Sequence, residues 1–353
     1  MEKLAELWRR KNLLKMRLWR RPLVYREDKM EAKNKQSAVM QKIKPYMMDM
    51  NFSLTVAIVI VGIILAFKSP YFFSFKNVLN MGLAGSVTGV MAAGLTISMV
   101  MGAFDLSQYA VATLASVVST IMLISGVPVW ICLPAAVLVG MACGAFNGLM
   151  VTVFKINPII TTLGTQMIFR ALCYILTSSK ILSIDQPVMN YLGRGYLLGI
   201  PTSFWILIIV YIILALVVKY TSFGRSVYAV GANANASYLA GINIRRVRIG
   251  GLMVSSTCAA VAGVLTACQV GASIPANGVG AEMEITTAVL LGGLSLAGGK
   301  GKLSGTFLGL VLLTIINNGL TLLSVQSYYQ MLVRGIVLVL AVLIDSIRGG
   351  GYK

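Results

Sequence analysis

The chain has 353 residues, of which 57% are hydrophobic and 12% charged, with a formal net charge of +19. A soluble globular domain carries about a quarter of its residues charged, so that class is excluded. The absence of histidine removes histidine metal sites, imidazole acid–base chemistry and a serine–histidine triad.

Residues 1–50 form a basic tail dominated by Lys and Arg, without the apolar core and small-residue cleavage site of a signal peptide. Leu4, Leu7, Trp8, Leu14 and Leu18 fall at near-helical spacing with Arg9, Arg10, Lys15 and Arg17 between them. Two readings stay open: an amphipathic helix lying on an anionic leaflet, contacting membrane lipids, or a solvated tail that only fixes orientation. From residue 51 to 348, apolar stretches recur that are long enough to cross a ~30 Å hydrocarbon core. Lipid offers the backbone no hydrogen bonds, so such stretches are helices or a closed barrel. Their hydrophobicity is continuous rather than alternating, which selects helices.

The expectation is an all-α polytopic membrane protein with about ten transmembrane helices, some central ones broken and glycine-rich. The predicted spans are 52–67, 79–101, 108–124, 129–154, 159–177, 204–218, 249–270, 283–296, 303–322 and 328–344, with a short C-terminal tail at 349–353. The longest external loop is 178–201 and the main internal loop 219–248. On this count the internal segments hold Lys42, Lys44, Lys155, Lys219, Arg225, Arg245, Arg246, Arg248, Lys300, Lys302 and Arg348, and the external ones only Lys68, Lys76, Lys180 and Arg194. That bias predicts both termini in the cytoplasm. It also accounts for the positive charge without nucleic acid, since the charges sit in a tail and short loops rather than on a binding face.

Asp105 is the only acidic residue between Asp49 and Asp185 and interrupts an apolar region. A carboxylate at membrane depth costs roughly 2.5–3.5 kcal/mol on insertion scales and marks a functional site by default. Solute contact, proton coupling and ion ligation all fit it, as does a plain helix cap made by Asp105 or Ser107. Asn147, Gln166, Arg170, Asn317, Asn318 and Arg334 are the other polar groups inside spans, suited to interhelical hydrogen bonds or solute contact. Gly140, Gly144 and Gly148 recur at every fourth position, a ridge that lets helix backbones approach closely. The stretch 96–102 followed by Asp105-Leu106-Ser107 is echoed by 287–293 followed by Leu294-Ser295, and paired broken helices mark a central pathway in many transporters. The five cysteines lack metal-ligand spacing and read as small buried hydrophobes.

The run Gly298-Gly299-Lys300-Gly301-Lys302 lacks the spacing and the Ser or Thr of a phosphate-binding loop. No ATP site, cofactor or metal is expected in this chain. In the internal loop, 234–240 is predicted to form a short helix with Asn233 as N-cap and Gly241 as its stop. Such a compact, punctuated projection suits docking to a soluble partner.

Several stretches together resemble the permease subunits of ribose-type ABC sugar importers, a group that includes ribose, xylose, galactose and autoinducer-2 transporters. They are GAFDLS at 102–107, NPIITTLGT at 157–165, FGRSVYAVGAN at 223–233, AGIN at 240–243, VLLGGLSLAGGKGKLSGTFLG at 289–309, NNGL at 317–320 and SYYQMLVRG at 327–335. The resemblance implies a permease domain over 51–348 in a bacterial cytoplasmic (inner) membrane, paired with a second permease copy, identical or related. It implies two ATP-binding subunits holding ATP and Mg, an extracytoplasmic solute-binding protein, and no chemistry on the solute. Carried onto this sequence, the pathway residues are Asp105, Ser107, Gln108 and Tyr109 with Asn147, and the coupling residues Asn233, Asn235, Tyr238, Gly241 and Asn243. The sequence departs from the family at Gln108-Tyr109, usually Val-Gly, and at Asn235 and Tyr238, where the coupling helix usually carries Glu and Arg. An ion- or proton-coupled secondary transporter, and an ABC permease for a nucleoside or branched-chain amino acid, are the alternative readings.

Overall fold

The computed structural model describes residues 50–349; the basic tail before Met50, with its Leu4–Leu18 stripe, and residues 350–353 lie outside the described residues. The helices are α1 (Met50–Lys68), α2 (Phe75–Val100), α3 (Gln108–Ile124), α4 (Val129–Thr152), α5 (Pro158–Thr177), α6 (Pro187–Arg194) and α7 (Thr202–Tyr220). They continue with α8 (Ser222–Ala232), α9 (Ala234–Leu239), α10 (Ile244–Val270), α11 (Glu282–Leu291), α12 (Leu303–Leu322) and α13 (Ser327–Gly349). Two small antiparallel pairs depart from a wholly helical chain: β1 (Leu182–Ser183) with β4 (Ala272–Ser273), and β2 (Tyr196–Leu197) with β3 (Ile200–Pro201).

Among the described residues, seven helices, α1, α2, α4, α5, α7, α10 and α12, are long and apolar enough to cross a membrane. The protein is a multi-pass membrane protein. α10 is its central element and packs most closely on α4, α2 and α3. The glycine ridge of α4 makes this possible. A Cβ at Gly140 would lie 2.6 Å from the Ser256 carbonyl oxygen, and one at Gly144 2.5 Å from that of Leu252. Backbone therefore meets backbone, and dispersion replaces the hydrophobic drive that lipid abolishes.

The predicted span 283–296 stops short. α11 ends at Leu291 after 10 residues, a rise of about 15 Å, half the hydrocarbon core. The cause is Gly293 at φ +81°: its N–H donates to the Leu290 carbonyl at 2.9 Å and the Leu294 N–H to that of Val289 at 3.4 Å, a left-handed helix stop. α2 ends the same way at Gly102, φ +79°, with Gly102 N–H to Met99 O at 2.9 Å and Ala103 N–H to Ser98 O at 2.9 Å. The echo in the sequence is thus a shared way of stopping a helix.

Beyond Gly102 the chain turns back along α2. Gln108 Nε2 donates to the Met91 carbonyl at 3.2 Å, roughly 15 Å from the end of α2 at 1.5 Å per residue. Non-helical backbone at this depth is tolerated only inside protein. Apart from half-buried Phe104, every residue from Ala103 to Ala112 is buried. A second irregular segment, 271–281, follows the left-handed stop of α10 at Gly271 and reaches the start of α3. There the Asn277 carbonyl accepts from Thr113 Oγ1 at 3.2 Å, and a Cβ on Gly278 would lie 2.1 Å from Tyr109 Cδ1. The N-terminal ends of α3 and α11 are therefore brought together inside the bundle.

The stretch 219–248, predicted as an internal loop, holds more helix than expected. α7 runs on to Tyr220, and α8, unanticipated, is capped by Thr221 Oγ1 accepting from the Gly224 N–H at 3.1 Å. α9 matches its prediction: Asn233 Oδ1 accepts from the Ala236 N–H at 3.0 Å, and Gly241 ends it at φ +80°. α10 starts at Ile244, five residues before the predicted span at 249, because Asn243 Oδ1 caps it through the Arg246 N–H at 3.1 Å. Hydropathy marks the edge of an apolar stretch; the hydrogen-bond ladder continues into polar sequence.

Candidate functional site

The predicted pathway residues divide. Asp105, Ser107, Gln108 and Asn147 form one network, each at most 2% exposed. Asp105 Oδ1 accepts from the Ser107 N–H at 3.0 Å and the Ser107 hydroxyl at 2.6 Å, and Oδ2 accepts from Ser255 Oγ at 2.8 Å. Asn147 Nδ2 donates to Ser107 Oγ at 2.9 Å, and Gln108 Nε2 to Ser255 Oγ at 2.8 Å. The network pins the re-entrant segment to α4 and α10. The helix-cap expectation is corrected: Ser107 stands at the N-cap of α3, but its side chain makes no capping bond, its hydroxyl donating to Asp105 while its oxygen accepts from Asn147. Asp105 in turn accepts from the N–H of the N-cap residue itself, ahead of the first turn.

Tyr109 faces away from this network. Its ring packs on Gly278, and its phenol lies beside Thr88 within reach of the charges of Glu284 and Glu282. A second polar constellation surrounds it. Gln166 Nε2 donates to Glu282 Oε1 at 2.7 Å, and Arg170 Nη2 stands 4.0 Å from the same oxygen. Arg170 Nη1 donates to Thr113 Oγ1 and the Pro275 carbonyl, each at 3.1 Å, tying α5 to α3 and to the second irregular segment. Glu284 Oε1 accepts from Asn317 Nδ2 at 2.9 Å, and Glu284 Oε2 lies 3.5 Å from Arg334 Nη1. Asn77 and Asn318 exchange reciprocal amide bonds at 2.9 Å. The in-span polar groups of the sequence thus find partners, but the two carboxylates that organise them went unremarked. The available signal was compositional: the chain has 11 acidic residues, two of them in the first turn of α11, where a helix N-terminus favours negative charge.

A third junction lies at the end of the bundle where α2 stops. A Cβ on Gly231, in the last turn of α8, would sit 1.8 Å from the Val100 carbonyl oxygen and 2.8 Å from the Gly299 nitrogen. Gly299 N–H donates to that same carbonyl at 2.7 Å. Tyr228 Oη donates to the Gly301 carbonyl at 2.9 Å, and burial pushes its phenol above the usual range, keeping it a donor. α8 therefore touches the stop of α2 and the loop after α11 backbone to backbone. Beside it α9 projects freely. Asn235 is exposed, Tyr238 is 70% and Leu239 85% exposed, while Asn233 and Asn243 use their side chains as caps.

Residues 77–342 match the family model described as the permease component of the branched-chain amino acid transport system. The chain belongs to this permease family. It is 33% identical over 298 residues to the ribose import permease protein RbsC of Haemophilus influenzae, covering 83% of this chain and 92% of that one. It is 34% identical over 311 residues to the ribose import permease protein RbsC of Bacillus subtilis, covering 87% and 93%. The L-arabinose transport system permease protein AraH of Escherichia coli is 34% identical over 297 residues, covering 84% and 90%. The family model takes in all of the permease's polar constellations, from Asn77 to Arg334.

Proposed function

We propose that the permease is the membrane-spanning subunit of an ATP-driven importer for a monosaccharide or similar sugar, moving it by alternating access across a bacterial cytoplasmic membrane. The observation that carries the mechanism is the glycine junction. It joins the exposed short helix, through α8, to the stop of α2 and to the loop that follows the short α11. A partner that moves α9 moves the stop of α2 and the loop after α11 with it. The permeases named for ribose and L-arabinose favour a sugar over the amino acid of the family's description.

Hydrolysis belongs to two ATP-binding partner subunits, which hold the ATP and Mg and dock on α9 through Asn235, Tyr238 and their neighbours. An extracytoplasmic binding protein delivers the solute, and a second permease copy, identical or related, completes the membrane unit. The chain crosses ten times, with α3 and α11 each completed by an irregular segment, and both termini lie in the cytoplasm with the basic tail at residues 1–50. Asp105, Ser107, Gln108 and Asn147 brace the pathway and Tyr109 faces it. Burial of Asp105 among neutral donors supports this reading over a proton-coupled one, which needs a carboxyl within reach of water. Moving such an equilibrium from 1:99 to 99:1 takes about 5.5 kcal/mol, within reach of nucleotide binding.

The test is a gentle-detergent pull-down of tagged protein from native membranes, with partners counted by mass spectrometry. A P-loop ATPase is expected at about one per permease, and lost on Tyr238→Ala with Leu239→Asp while the permease still inserts. Recovery of the chain alone, with uptake surviving ATP depletion, overturns the reading.

A further inference from the structure

We infer a binding pocket for a neutral polyhydroxylated solute inside a single permease chain, in the polar cavity between α2, α11 and α12. It rests on the sugar-importer reading and names a site for that solute. The cavity measures about 430 Å³, within the ~300–1,000 Å³ of small-molecule sites. Its mouth lies at exposed Asn80, its walls carry Thr314 and Asn317, and its floor is Glu284 and Thr88.

Two other cavities, of about 410 and 560 Å³, are lined almost wholly by apolar side chains and suit lipid tails or packing contacts. This one differs in kind. Amide, hydroxyl and carboxylate groups at membrane depth are not satisfied by an acyl chain, so the cavity holds water or a polar solute. Its hydrogen-bonding capacity is also partly unspent. Asn317 uses its Nδ2 on Glu284, but its Oδ1 is buried without a partner. The Thr314 hydroxyl and the Asn80 amide make no hydrogen bond among the described residues. An orphan acceptor beside free groups that both donate and accept is what a ring of hydroxyls can meet on several sides.

The charge selects the ligand class. Glu284 is the carboxylate on the floor, and Arg334 with Asn317 already engages both its oxygens. The pocket therefore offers neither an open anion for a cation nor a free guanidinium for an acid; a neutral polyol fits it. Through Thr88 the floor adjoins Tyr109, which leads to the Arg170–Glu282 group. The floor of the pocket thus abuts the polar interior where the two irregular segments meet.

The test uses the full importer in proteoliposomes, with uptake of D-ribose, L-arabinose, D-galactose and D-xylose measured first. In an Asn80→Cys variant, a membrane-impermeant methanethiosulfonate reagent reports on the mouth, the native described cysteines all being buried. The imported sugar is expected to slow labelling. Adding Thr314→Val, which removes a hydroxyl without an internal partner and leaves folding intact, is expected to raise the sugar concentration for half-protection about fivefold, the loss of one hydrogen bond. Asn317→Leu should act in the same direction. Normal import with labelling that no imported sugar slows, or half-protection unmoved by Thr314→Val, overturns the pocket and leaves the importer reading standing. A complex that hydrolyses ATP yet imports none of the four sugars overturns the sugar reading and the pocket's ligand class together.

Discussion

Replacing Gly231 with alanine tests whether the glycine junction transmits motion. The added methyl would stand 1.8 Å from the Val100 carbonyl oxygen and 2.8 Å from the Gly299 nitrogen, where ordinary contact needs about 3.5 Å. Neither neighbour is a flexible side-chain tip, so α8 must withdraw by about 1.7 Å or the stop of α2 must shift. Overpacking of this kind costs about 1–3 kcal/mol. Straining the 2.7 Å bond from Gly299 N–H to Val100 O adds about 0.5–1.5 kcal/mol. Gly241→Ala is the comparison: its φ of +80° strains a side chain, but a Cβ there meets nothing within 4 Å, so the cost of about 1–2 kcal/mol stays local to α9. The assays are thermal unfolding of the purified permease and solute-stimulated ATPase of the reconstituted importer. Gly231→Ala is expected to lower the melting temperature and to cut stimulation well below that of Gly241→Ala. A Gly231→Ala protein with wild-type melting and wild-type stimulation would show that α8 does not bear on the stop of α2 or the loop after α11, and the mechanism would fall with it.

Asp105→Asn keeps the shape of its buried network and one oxygen to accept both Ser107 donors, and ATP-dependent uptake is expected to survive within a few-fold; complete loss in a folded variant would return Asp105 to the coupling role. Asp105→Leu strands the Ser107 and Ser255 donors at about 1–3 kcal/mol each, and is expected to abolish folded protein in a detergent-stability assay. Asn77→Leu and Asn318→Leu should each destabilise by about 1–3 kcal/mol while the double variant recovers much of the loss, because reciprocal partners are removed together; additive melting shifts would contradict the pairing. Asn233→Ala removes the cap of α9 and should cost about 1 kcal/mol locally, read as reduced ATPase stimulation at unchanged membrane insertion.

Signals carried by neighbouring residues were legible in the sequence. The short helix α9 with its Asn233 cap and Gly241 stop was one, because capping is settled within a few residues. The packing ridge at Gly140, Gly144 and Gly148 was another, since close approach needs only the absence of side chains. The site was legible in part. Asp105, Ser107, Gln108 and Asn147 do converge, yet as a buried brace, and Tyr109 adjoins them in sequence while facing another constellation. Glu282 and Glu284 drew no notice because their meaning depends on Gln166, Arg170, Asn317 and Arg334, which arrive from other helices.

By itself, the sequence determined that this chain lives in a membrane as helices, since hydropathy and the backbone's need for internal hydrogen bonds are properties of composition and continuity. It also marked one helix stop, Gly241 after α9, whereas the stop that ends α11 at Leu291, short of the predicted 296, came only with the left-handed Gly293 of the structure. Only the tertiary structure decided that the chain turns back along α2 after Gly102, and that a second irregular segment meets it from Gly271. It alone placed Gly231 against Val100 and Gly299. Such contacts join residues far apart in the chain, and their energies are set by the space between helices, which no local pattern encodes.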